Sequence, residues 1–235
     1  MAQRFHEEQS GQDTYWQRLS HPWQCCIEEA WAAYGKGSLP IGAVITDSSN
    51  RILARGRNRV YEDAAEGTLL YGHRLAHAEM NALISINWRQ IDPRTSILYT
   101  TTEPCPLCVG AVRLTRLGAV SYASRDCGAG SIDLFAANEF MRRGRIKVMK
   151  FHDEQLETIL TAMLLEKTLR LDDNNMSLVY NNVAAMCPAG AELGQKLFDS
   201  QQLHSWSEQG RHASFVVNQL IKIAQEILQS TTKSC

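Results

Sequence analysis

The sequence predicts an α/β fold: a sheet covered by helices, with strands running parallel wherever a helix separates them, followed by a helical segment at the C-terminus. Two observations carry this. Between residues 23 and 170, short stretches rich in β-branched and aromatic side chains alternate with stretches whose apolar residues recur at helical spacing. At Asp172 the composition changes, and DDNN reads as a turn or linker ahead of a helical remainder.

The elements follow in order. Residues 1–21 are polar and are expected to form an arm. WQCCIEEAWAAYG at 23–35 has apolar side chains at helical spacing and stops at Gly35, with Cys25 and Cys26 as buried small hydrophobes. IGAVITD at 41–47 and RILARGR at 51–57 read as two strands joined through SSN, a hairpin turn. Residues 60–76 form a loop, and HAEMNALISIN at 77–87 a buried helix. SILYTT at 96–101 is a strand, PLCVGAVRLTR at 106–116 a helix with Pro106 in its first turn, and AVSYAS at 119–124 a strand. A Gly-containing stretch, CGAGSIDLF, precedes the strand RIKVMKF at 145–151. Leu156, Ile159, Leu160, Met163 and Leu164 then mark one face of an amphipathic helix over 153–170. In the remaining segment, 172–235, a closing helix carries Phe215, Val216, Leu220, Ile223 and Ile227 on one side. This segment is too small to hold a large core alone, so it is expected to pack on the first domain or on a second subunit.

Composition excludes several classes. The chain has 235 residues, with 24 Lys and Arg against 25 Asp and Glu, so no global positive field marks a nucleic-acid binder. No apolar run approaches the roughly 20 residues a membrane span needs, and the polar N-terminus lacks a signal-peptide core. Seven cysteines, an odd number, fit a reducing cytosol better than a disulfide framework, and a cytoplasmic location is expected.

The chemistry concentrates in two short motifs. Cys105 and Cys108 open one predicted helix, and His77-Ala78-Glu79 opens another. One imidazole and two thiolates form a zinc-type ligand set, and three protein ligands leave the fourth position for water, as a catalytic zinc requires. Helix N-termini favour the ionised thiols. Glu79, two residues beyond His77, is placed for proton transfer and not for coordination. A lone CxxC also fits a redox pair, and His-x-Glu alone occurs by chance. The conjunction H-x-E…P-C-x-x-C is the zinc deaminase signature.

HAEMNAL followed by LYTTTEPCPLCVGAV resembles the cytidine-deaminase-like superfamily, in the branch of tRNA adenosine deaminases, bacterial guanine deaminases and fungal cytosine deaminases. The resemblance covers about residues 22–170, the stretch taken here as the deaminase domain (22–171), and includes PIGAVI at 40–45, GRN at 56–58 and YASRD with the Gly-rich stretch at 122–131. It implies a three-layer α/β/α fold with a five-stranded mixed sheet and a zinc ion between two helix N-termini. It implies His77, Cys105 and Cys108 as ligands, Glu79 as proton shuttle, and Asn58 as a hydrogen-bonding partner of the substrate base or sugar. The backbone N–H of Ala78 and the carbonyl of Thr102 or Glu103 are expected to line the pocket. The implied reaction is hydrolytic deamination, in which a zinc-bound hydroxide attacks an aminated ring carbon and ammonia leaves. Relatives form dimers, so a homodimer is expected.

These motifs fix the reaction and leave the ring open. Pro106 between the cysteines resembles guanine deaminases, whereas YASRD and GAGSIDLF look more like tRNA adenosine deaminases. The long loop before His77 offers Tyr61, Leu70, Tyr71 and Arg74 as a pocket wall. Basic runs at 51–59 and 142–150 sit in an otherwise neutral chain, so a free nucleobase, nucleoside or related amino-heterocycle is favoured over tRNA. A zinc-stabilised, non-catalytic interaction module would have no need of Glu79 beside the metal.

Overall fold

The computed structural model describes residues 13–64, 67, 69–171 and 176–232. The expected arm through residue 12 and the DDNN linker at 172–175 lie outside the described residues. Residues 13–20 are not a bare polar arm. Thr14 closes a capping box with Gln17 on a short helix, α1 (Tyr15–Arg18). The Tyr15 hydroxyl donates to Asp153 at 2.7 Å, and the Trp16 N–H to Asn218 Oδ1 at 3.0 Å.

Helix α2 (His21–Gly35) follows, with Pro22 in its first turn. The strands are β1 (Gly42–Thr46), β2 (Ile52–Arg57), β3 (Ile97–Thr102), β4 (Ala119–Ser124) and β5 (Lys147–Lys150). They form one sheet in the order β2-β1-β3-β4-β5. The β1–β2 and β1–β3 pairs are antiparallel, and β3–β4 and β4–β5 are parallel. This mixed pattern follows from the connections. A tight turn at Asn50 (φ 60°) joins β1 to β2, while helix α4 (Pro106–Thr115) must intervene before β4 can run alongside β3. Between β4 and β5 lie a 3-10 turn (Ile132–Ala136) at the end of the Gly-containing stretch and, beyond it, a short helix, α5 (Glu139–Arg142), to which the sequence analysis assigns no element.

The central strands β1 and β4 are buried along their whole length, and their alternation feeds two cores. On one face Val44 and Ala123 meet Trp23, Ile27, Leu156 and Ile159 of α2 and of α6 (Glu154–Leu171). On the other face Ala43, Ile45, Leu98 and Val120 meet Ala78, Ala82 and Leu83 of α3 (Ala78–Ser85), and Val109 and Val112 of α4. Gly56 fixes how closely α3 approaches. A Cβ there would stand 2.3 Å from the Ala78 carbonyl oxygen and 2.4 Å from the Ala82 nitrogen, so only glycine lets the first turn of α3 lie on β2.

The C-terminal helices are α7 (Met176–Met186), α8 (Pro188–Ser200), α9 (Gln202–Glu208) and α10 (Ala213–Thr232). Leu193, Leu197, Leu203, Val216, Leu220 and Ile227 join the same core as Trp23 and Ile159. The segment therefore docks on its own chain, over α2 and α6. Phe215 and Ile223 pack at the margin, and Trp206 meets Phe215 edge-to-face at 5.6 Å. Among the described residues no helix is long and apolar enough to cross a membrane.

Candidate active site

Two helix N-termini on the same face of the sheet converge. His77 caps α3 and Cys105 caps α4, each with extended backbone, and Cys108 lies in the first turn of α4. Antiparallel pairing sets β2, and with it α3, beside β1, whose other neighbour is β3, and β3 leads into Cys105. The His77 Nδ1 atom lies 3.4 Å from Cys105 Sγ and 3.5 Å from Cys108 Sγ, and the two sulfurs are 3.7 Å apart. Among the described residues this is the one His/Cys/Asp/Glu group spaced to hold a metal ion. The donors fit zinc. A tetrahedral ion at ordinary zinc–sulfur and zinc–nitrogen lengths sets its sulfurs about 3.8 Å apart and its sulfur and nitrogen about 3.6 Å apart. The hydrogen bond between the thiols holds Cys105 down to about 4 and, with burial, pushes Cys108 far up. Hydrogen bonding to Cys105 raises His77.

Glu79 is buried in the first turn of α3, and burial pushes its carboxyl above the ordinary carboxylate range. The Thr100 hydroxyl lies 3.2 Å from Glu79 Oε1 and 3.2 Å from the Thr102 carbonyl oxygen. It carries one proton, so it donates to one of them at a time.

A cleft of about 410 Å³ opens onto these groups. Asn58, Thr102, Glu103, Tyr61, Arg74 and Asp126 line it beside His77, Glu79 and Cys105. Asn58 is buried, and its Oδ1 accepts from the Ser38 hydroxyl at 2.7 Å and the Val60 N–H at 3.2 Å. The amide oxygen is thereby anchored, and the NH₂ donates to none of the described residues. Ala78, whose backbone N–H is expected at the pocket, is the first residue of α3; its side chain is buried and its carbonyl oxygen lies close to Gly56. Of the four loop residues expected as a wall, Tyr61 and Arg74 line the cleft and Leu70 and Tyr71 do not. The Leu70 backbone is held by Asn81, whose Oδ1 accepts from the Leu70 N–H at 2.8 Å while Nδ2 donates to the Leu70 and Arg57 carbonyls at 3.1 Å each. The Tyr71 ring lies 5.9 Å from the Arg59 guanidinium.

Thr100, Ser38, Asn81 and Asp126 act on the site without having been singled out by sequence. Thr100 had a usable signal: strand alternation in β3 sends it to the same face as Thr102. The loop after β4 also ties the cleft to the C-terminal helices. Arg125 Nε donates to Glu157 Oε1 at 2.7 Å, and its Nη2 to the Met186 carbonyl at the end of α7 at 2.9 Å.

The family model for the cytidine and deoxycytidylate deaminase zinc-binding region matches residues 17–124, which contain both motifs. The chain is 32% identical over 149 residues to the tRNA-specific adenosine deaminase of Bacillus subtilis (strain 168), covering 60% of this chain and 84% of that protein. It is 32% identical over 110 residues to the tRNA-specific adenosine deaminase of Streptococcus pyogenes serotype M1, covering 47% of this chain and only 60% of that relative's length. The cytosine deaminase of Candida albicans (strain SC5314 / ATCC MYA-2876) is 26% identical over 149 residues, covering 61% of this chain and 87% of that protein.

Proposed function

The chain belongs to the cytidine-deaminase-like superfamily of zinc-dependent deaminases, and on that premise we propose that it removes ammonia hydrolytically from an amino-substituted nucleobase or nucleoside of guanine, cytosine or adenine type. The observation that carries the reading is the placement of a buried carboxyl, Glu79, beside the His77–Cys105–Cys108 ligand set at the floor of a cleft sized for one heterocycle.

His77, Cys105 and Cys108 would hold the metal. A zinc ion bound there supplies Lewis-acid activation of water at neutral pH. Glu79 moves the protons: its raised affinity lets the carboxyl carry one proton from the attacking water to the ring nitrogen beside the reacting carbon, and a second, from the new hydroxyl, to the departing amine. Thr100 steadies Oε1 throughout, donating when Glu79 is ionised and accepting when it is protonated. Asn58, its oxygen anchored by Ser38 and Val60, presents its NH₂ to an acceptor on the base or sugar. Tyr61 and Arg74 bound the cleft on the loop side.

The small substrate is favoured because the first basic run is neutralised within the fold. Arg55 pairs with Glu28 at 3.0 Å, Arg57 and Arg59 pair with Glu62 at 2.9 and 2.7 Å, and Arg51 pairs with Asp47 at 3.0 Å. The names of two relatives support a second reading, deamination of adenosine in tRNA. The proposal extends to a cytoplasmic homodimer.

Ammonia release is the test, measured over cytosine, cytidine, deoxycytidine, guanine, guanosine, adenine, adenosine and a tRNA anticodon stem-loop. Turnover of a free base or nucleoside supports the first reading. Turnover confined to the stem-loop transfers it to the second, and none on any member by zinc-loaded protein removes both.

A further inference from the structure

At the far end of α4 from the cleft, Arg94, Arg113, Arg116, Arg143 and Arg145 line a surface groove of about 700 Å³. No carboxylate lines it; the other walls are Leu114, Leu117, Gly118, Phe140 and Gly144. The whole chain carries a formal charge of −1, so this is a local concentration of charge and not a share of a general excess. Two of the five arginines are engaged inside the protein. Arg113 lies over the Phe140 ring at 4.1 Å and donates Nε to the Phe140 carbonyl at 2.7 Å, and Arg143 pairs with Glu139. Arg94, Arg116 and Arg145 are exposed and have no acidic partner among the described residues.

The backbone adds a second observation. Arg116 (φ 62°) and Arg145 (φ 51°) both sit in the left-handed region, where Gly or Asn is the easier residue. Gly144 leaves room for the Arg113 side chain in the groove wall, since a Cβ there would stand 2.5 Å from Arg113 Cδ. Two arginines thus occupy unfavourable backbone positions on one groove, where their charge has no structural partner.

We infer that this groove binds a ligand carrying two or more phosphate groups, held by Arg94, Arg116 and Arg145. Guanidinium forks match phosphate oxygens in pairs, and the volume exceeds what one phosphate fills. The groove lies roughly 15 Å along α4 from Cys105, at a rise of about 1.5 Å per residue, so it is separate from the cleft and does not depend on the deaminase reading. Soluble polyphosphate and the phosphodiester backbone of RNA share this chemistry.

The test uses full-length protein and the variant R94S/R116N/R145N. Tripolyphosphate is titrated by calorimetry, and a short fluorescein-labelled single-stranded RNA by anisotropy, each at several salt concentrations. Binding of tripolyphosphate alone identifies a soluble ligand. Binding of RNA, with a log–log salt slope of about −2 for three phosphates neutralised, identifies a polynucleotide. In either case the variant weakens binding by at least about tenfold. Its melting temperature stays level or rises, because Asn suits the left-handed positions. If the triple variant melts lower, Arg94→Gln, which touches no left-handed residue, carries the test with an expected loss of about threefold or more. Wild-type protein that binds neither probe, or a folded variant that binds as tightly as wild type, overturns the inference.

Discussion

The Thr100 hydroxyl stands 3.2 Å from Glu79 Oε1, on a strand and a helix whose sequence positions are 21 residues apart. It is the only side-chain hydroxyl among the described residues bonded to that carboxyl, and it adjoins no metal ligand in sequence. Thr100→Val keeps the shape and removes this bond. Turnover is expected to fall about 10- to 100-fold, the effect of losing a hydrogen bond to a charged group, with zinc content unchanged. Unaltered turnover in a zinc-loaded variant shows that Thr100 does not steady Glu79.

Removing a ligand acts differently. Cys105→Ala leaves one thiol and an imidazole, a set too small to hold zinc tightly, and metal analysis should find well below one ion per chain. Chelation of wild-type protein should produce the same loss of activity, restored by added zinc. A Cys105→Ala protein that retains a full complement of zinc refutes the assigned ligand set.

The C-terminal helices supply part of the core over α2 and α6, including Leu193, Leu203 and Leu220. Truncation after Arg170 strips that cover from Leu156, Ile159 and Met163, and it also removes the Met186 carbonyl that holds Arg125. The expected product is insoluble or melts far below wild type. A soluble, stable, fully active fragment contradicts this account of the extension.

Acid stability follows Glu157. Burial opposes its charge, yet hydrogen bonds from Lys150 and Arg125, at 2.8 and 2.7 Å, hold its carboxyl below the ordinary range. A folded value below the unfolded one adds stability that is fully present above the unfolded pKa, near 4.3, and is lost as pH falls through the folded value. Melting temperature should therefore drop more steeply below about pH 5 in wild type than in Glu157→Gln. Parallel curves for the two proteins refute the assignment.

Much of this was legible before any coordinates. Strands at 41–47, 51–57, 96–101, 119–124 and 145–151 appear within a residue or two of their observed bounds, because alternation and β-branched residues are local signals. His77, Cys105 and Cys108 were legible for the same reason, each motif lying within a few residues at the start of one helix. What sequence could not place were contacts between distant elements. Ser38 anchoring Asn58, Asn81 holding Leu70, and Glu62 absorbing Arg57 and Arg59 all depend on loop paths that no periodicity encodes. The stripe on α10 required a partner surface without naming one, since apolar burial is non-directional. The short helix α5 was missed because four residues are too few for a period to show.

The central claim is that Glu79 moves protons and does not bind the metal. Glu79→Ala, purified without chelator, is to be measured for zinc content and for ammonia release on whichever panel member the wild type turns over. The account predicts about one zinc per chain, as in wild type, with turnover reduced by about 10²- to 10⁴-fold. Loss of zinc together with activity would make Glu79 a ligand, and retained activity with retained zinc would remove it from the chemistry; either result contradicts the account.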